Sequence, residues 1–245
     1  PFDGQWFYGD ALFIIDPWIW LVVGGCCFLT WSQSKSSFVS WCIFWIAIAL
    51  LVLGYEMTPR PVRYPLVMSL ICIYGLRLVK PSILSTEIGA RLALLLFVFY
   101  MGATVIASNL AESRVRHLLE SQEAQPILNV MVGPMPANPF AGSVVAMTPT
   151  EYIQGSWNWL SGDPLVISAV RIKRNLQDPV VQQAMNEARV ERFLSWSRFP
   201  FAVITADGTG YEVRFADARY AGFTGGIQGP TVNLNAGQAV LSKNN

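Results

Sequence analysis

One histidine stands in 245 residues, and the four cysteines, Cys26, Cys27, Cys42 and Cys72, form no CxxC pair. Those shortages exclude a self-contained metal site built from several histidines or paired cysteines, so any metal chemistry must use carboxylates or residues outside this chain. Charge is scarce as well. The 17 Lys and Arg against 16 Asp and Glu leave a net +1, which excludes a nucleic-acid partner held by a basic surface. No GxSxG or HExxH occurs, and Gly208 and Gly210 lack the lysine and following helix of a phosphate loop. An initiator methionine and a basic leader are also missing, so the chain reads as a fragment or a processed product rather than one starting naturally at Pro1.

Apolar residues are what the sequence has in excess. They make up 53% of the chain, charged residues are 13% against about 25% in an ordinary water-soluble domain, and mean hydropathy is +0.39. A bilayer crossing needs about 20 apolar residues, and four runs approach that length: 12–31, 38–55, 62–79 and 90–110. The second carries no charge, and the fourth is charged only at Arg91. Arg63 and Arg77 sit near the ends of the third, where long basic side chains reach headgroups. The first holds Asp16-Pro17, which predicts a helix beginning at Pro17 and sitting short or tilted. Lys35, Arg77, Lys80 and Arg91 fall on one side of these spans and Arg60, Arg63, Arg114 and Arg116 on the other, so the basic residues assign no sidedness.

The expected fold is an α-helical membrane bundle of about four transmembrane helices (residues 1–111) followed by a small α+β soluble domain. The fourth helix is expected to leave the membrane as a juxtamembrane helix over 112–125, carrying His117 on a solvated face beside Arg116 and Glu120. Residues 126–223 suit the water-facing domain. PILNVMVGPMPANPF is extended, SVVAMT, EYIQGSWNWL and PLVISAVRIKRN read as strands, and Ser161-Gly162-Asp163-Pro164 is a turn. Asp178-Pro179 starts one helix with Val181, Met185, Ala188, Phe193 and Trp196 near one face. Asp207-Gly208-Thr209-Gly210 marks a hairpin, Arg171, Lys173 and Arg174 a solvated strand end, and 224–245 a flexible tail.

Asp16 is the leading candidate for function. A carboxylate beside so long an apolar run costs about 2.5 to 3.5 kcal/mol if it reaches the bilayer centre, so it needs a reason to stay. Capping the helix that starts at Pro17 is one reason, a functional carboxylate is another, and the two roles are compatible. Asp10, in the polar lead-in, is the second candidate, and Asp3 fits an ordinary loop position.

The segment PFDGQWFYGDALFIIDPWIW, with ANPFAGSVVAMTPTEYIQG, RFLSWSRFPFAVI and DARY further on, resembles the membrane-bound metal-dependent hydrolases of the YdjM-like, LexA-regulated inner-membrane group. The resemblance covers about residues 1–220. It implies a multi-pass protein of the bacterial inner (cytoplasmic) membrane, with the lipid bilayer as its partner and a divalent metal ion of unknown identity as cofactor. It implies further that histidine-rich metal ligands stand before Pro1. Asp16 matches the family's Ile-Asp-Pro aspartate, a candidate to orient a ligand or water near the metal, with Asp10 as companion. A non-catalytic membrane anchor presenting an interaction domain is the alternative, and a transporter subunit coupled through Asp16 ranks below it.

Overall fold

The computed structural model describes residues 11–12, 16–31, 34–54, 60–79, 85–135, 137–208, 210–221 and 228–235. Helices occupy the first half of the chain: α1 (Pro17–Trp31), α2 (Lys35–Gly54), α3 (Arg60–Val79) and α4 (Thr86–Gln122). Two antiparallel sheets follow. The first is β1 (Asn129–Met135), β2 (Asn138–Met147), β3 (Glu151–Asn158) and β4 (Leu165–Lys173), paired in that order. The second is β5 (Pro200–Asp207), β6 (Gly210–Asp217) and β7 (Gln228–Asn235), with α5 (Pro179–Ala184) and α6 (Ala188–Trp196) packed on it.

Among the described residues, three helices are long and apolar enough to cross a membrane: α2, α3 from Val62 onward, and α4. They leave large apolar side chains uncovered, with Ile43, Leu50 and Phe99 each more than 60% exposed, as lipid-facing positions require. Of the first expected span, 12–31, the described helix is α1, 15 residues and about 22 Å long, shorter than the roughly 30 Å hydrocarbon core, as the short or tilted helix expected from Pro17 would be. It is packed within the bundle, touching α2, α3 and α4, with Phe28 buried against Trp45, Ile48, Val52 and Leu66. It runs antiparallel to α4: Asp16 meets Tyr100 at one end, and at the other Thr30 lies so close to Gly89 that a Cβ there would collide with it.

Ser85 caps α4, its Oγ accepting from the Ile88 N–H at 3.3 Å, and one helix of 37 residues runs on to Gln122. Its last turns serve a different neighbour. Ala111, Val115 and Leu119, spaced by four, are buried against Val130, Val132, Val144, Ala146, Ile153 and Trp157 of the first sheet. The alternation of strand side chains sends Met131, Val145 and Tyr152 to the opposite face, where they meet Phe199, Phe201 and Ala218. The Tyr152 hydroxyl donates to the Pro200 carbonyl (2.7 Å) and the Gln154 amide to that of Ala218 (2.8 Å), joining the two sheet layers.

Two expectations need correction. The single helix after Pro179 is two, α5 and α6, separated at Met185–Glu187. In one straight helix Val190 would lie about 180° from Val181, so both could not face the sheet; the break lets Val181, Ala184, Val190 and Phe193 all bury there. The expected tail instead contributes β7, whose Val232 and Leu234 enter the same core. The β5–β6 hairpin closes at Asp207 and Gly210, with Gly208 at φ +24°.

At the end of β6 the Asp217 carboxylate is fully buried and fully engaged. Oδ2 accepts from the Ser197 hydroxyl (2.7 Å), the Arg198 and Phe199 N–H groups and the Arg219 guanidinium (2.9 Å), while Oδ1 accepts from the Arg219 N–H and Nε. Burial by itself would raise this carboxyl, but the Arg219 and Ser197 bonds outweigh it and hold it below the usual range. Its stabilisation is therefore present above the unfolded value, about pH 4, and is lost as pH falls from there through the folded value. Asp217→Asn is expected to cost about 3 kcal/mol at pH 7, with the gap to wild type shrinking below pH 4, as read from urea unfolding at a series of pH values.

Candidate functional site

Asp16 stands at the N-cap of α1 and is 8% exposed. Its Oδ1 accepts from the Trp18 N–H (2.8 Å), and Pro17 at the first helical position removes a donor that would otherwise need a partner. Oδ2 accepts from the Tyr100 hydroxyl on α4, also at 2.8 Å. Capping and a long-range contact thus coexist in one carboxylate. Trp18 extends the connection: its Nε1–H donates to the Ala137 carbonyl (3.0 Å) at the turn between β1 and β2. Ala137 has φ +58°, in the left-handed region that side chains other than glycine's enter at a cost.

Beside this junction lies a cavity of about 940 Å³ between α4 and the first sheet. Small residues on α4, Ala103, Ala107 and Ala111, leave the room, and Phe140, Trp157 and Trp159 line the other side. Asp16 and Tyr100 belong to its rim. At the far end α4 is tied to β1. The Ser108 hydroxyl donates to the Val132 carbonyl and the Val132 N–H to Glu112 Oε1, both at a long 3.4 Å, and Arg116 donates to the Ile127 carbonyl at 2.9 Å. The Arg114 guanidinium lies 5.0 Å over the Trp159 ring, which in turn meets Trp157 edge to face.

Asp10 and Asp3 fall outside the described residues. His117 is exposed on α4. Arg171 pairs with Glu123 at 2.8 Å and Glu151 at 3.6 Å, and Arg174 donates to the Thr148 and Pro149 carbonyls, so two members of the expected solvated cluster tie the end of β4 to the end of α4, to β3 and to the β2–β3 loop instead. The described residues contain no group of three His, Cys, Asp or Glu side chains able to hold a metal ion. Sequence reasoning missed Tyr100 and Trp18. A hydroxyl-bearing aromatic inside a run otherwise almost free of polar groups was the available signal for Tyr100; its partner lies 84 residues away.

Neither a family model, nor a curated protein, nor a solved structure matches this chain. The site therefore rests on its own geometry.

Asp16→Ala is expected to lower stability by about 2 kcal/mol, through the lost cap and the orphaned Tyr100 hydroxyl, and Tyr100→Phe by about 1 kcal/mol. Asp16→Asn, which keeps an acceptor for Trp18, should lie nearer wild type. Thermal unfolding in detergent, followed by tryptophan fluorescence, orders the three.

Proposed function

We propose that this protein is an integral membrane hydrolase that takes an apolar-chained substrate into the cavity between α4 and the first sheet, with Asp16 and Tyr100 at the polar rim. The observation that carries the reading is the placement of a hydrogen-bonded carboxylate–phenol pair at the edge of a large apolar cavity on a membrane-crossing helix. Pockets of this kind, apolar walls with a few convergent polar groups, are the usual form of a small-molecule site. Counting about 20 residues from Ser85 puts the end of the α4 crossing near Val105, so Tyr100 lies about 7 Å inside that face. A substrate at this depth enters from the bilayer. Hydrolysis, and the bacterial inner membrane as its location, are supported by the resemblance of residues 1–220.

The divalent ion implied by that resemblance does not fit the described residues. Both Asp16 oxygens already accept hydrogen bonds, and no companion ligands stand with them. In this reading Asp16 is a positioning residue. By taking the Tyr100 hydrogen it fixes the phenol oxygen, which keeps acceptor capacity for a substrate hydroxyl or a water in the cavity. A second reading, a non-catalytic anchor presenting the sheet region to a partner, is favoured by the same saturation of Asp16, since a pure cap needs nothing more.

The two separate in one assay. Protein purified from its native membrane is returned to bilayers of labelled native lipid extract, and released product is followed. The hydrolase reading expects turnover, with Asp16→Asn lowering kcat about 10- to 100-fold at unchanged KM and Ala107→Trp, which fills the cavity, raising KM. Absence of product from the wild-type protein, or full kcat in Asp16→Asn, overturns it in favour of the anchor.

A further inference from the structure

We infer that the cavity selects an anionic membrane lipid, its chain lying along α4 and its phosphate at Arg114. The inference goes beyond the proposed function, since a phosphate at Arg114 leaves the lipid's ester groups far from Tyr100, and it rests only on the cavity being a site for bilayer molecules. Phe99 and Ile106 are 72% and 62% exposed on the lipid-facing side of α4 and also border the cavity, so its flank is continuous with the surface that meets lipid tails. The stripe of Ala103, Ala107 and Ala111 runs on into the buried Val115, and the exposed Arg114, one residue before it, sets a cation beside the end of the apolar wall. Tyr100 and Arg114 are about 21 Å apart along the axis, the reach of a long acyl chain, and Arg114 lies beyond the end of the crossing, at headgroup level.

The charge there is held and available. Stacking on Trp159 orients the guanidinium and leaves its N–H edges for phosphate oxygens, and Arg114 makes no ion pair with any described residue. Neighbouring groups do not cancel it: Glu112 is turned to the Val132 N–H, Arg116 is occupied by the Ile127 carbonyl, and His117 is exposed one turn on. Beside the same wall Trp157, 1% exposed, has a buried Nε1–H without an acceptor among the described residues. A buried donor of that kind ordinarily has a partner, and a lipid ester or phosphate oxygen supplies one.

The test is lipid retention. The full chain is placed in bilayers of equal parts phosphatidylcholine and phosphatidylglycerol, extracted gently, and its bound lipids are weighed by native mass spectrometry. Wild type is expected to retain phosphatidylglycerol about fivefold over phosphatidylcholine, the preference one basic residue supplies at a membrane surface. Arg114→Gln should bring the ratio to parity, Arg114→Lys should restore most of it, and Ala107→Trp should remove both lipids. Retention by wild type without charge preference, or a preference that survives in a folded Arg114→Gln, overturns the anionic assignment while leaving a lipid cavity in place. Retention of neither lipid by wild type overturns the cavity reading itself.

Discussion

A carboxylate at the head of an apolar helix cannot remain unsolvated, and the way Asp16 is solvated shapes the junction of the molecule. Water is replaced by two protein donors, the Trp18 N–H and the Tyr100 hydroxyl, which meet the acceptor demand of a group that is expensive to leave unpaired. The first donor sets where α1 begins. The second holds that end of α1 against α4, and the Trp18 indole carries the connection on to the β1–β2 turn. Three segments far apart in sequence are thereby brought to one point. The cavity is the space between this point and the second set of ties, from Ser108, Glu112 and Arg116 to β1 and the residues just before it.

The same helix serves two solvents. Over its first turns α4 exposes Leu95 and Phe99, as lipid contact demands, whereas in its last turns Ala111, Val115 and Leu119 are buried under the first sheet. The cavity falls at the change between the two regimes, where alanines and Gly102 replace the bulky residues on either side. That coincidence places a large apolar space within reach of the bilayer while the sheet closes it from the water side. Arg114, stacked on Trp159, stands beside the end of that apolar wall.

How much of this was legible in the sequence follows from the range of the forces involved. Hydrophobic length located α2, α3 and α4, and the Asp16-Pro17 pair located the start of α1, because length and capping are local properties. Alternation located the later part of β2 and the strands from β3 to β6 for the same reason, while β1 lay in a stretch read only as extended. The division between α5 and α6 was hidden, because it answers to a sheet that the helical period does not contain: Val181 and Val190 need the same face although their spacing places them opposite. β7 was hidden because, among its described side chains, just Val232 and Leu234 are buried, in a strand that begins with glutamine, glycine and proline. At the site, Asp16 was visible as an anomaly of composition. Tyr100 and the Ala137 carbonyl were not, because their importance comes from contacts across 84 and 119 residues of chain.

The account depends most on the contact between the start of α1 and the β1–β2 turn. It is tested most directly by replacing the four cysteines, introducing Trp18→Cys with Ala137→Cys, and treating native membranes with a short bifunctional thiol reagent. The account predicts rapid intramolecular cross-linking, seen as a mobility shift absent from either single variant. If the pair stays unlinked while a control pair across α1 and α4 links readily, namely Thr30→Cys, which removes the methyl group nearest Gly89, with Gly89→Cys, the sheet region does not rest on the helix bundle at Asp16 and the cavity between them is not a feature of the protein in its membrane.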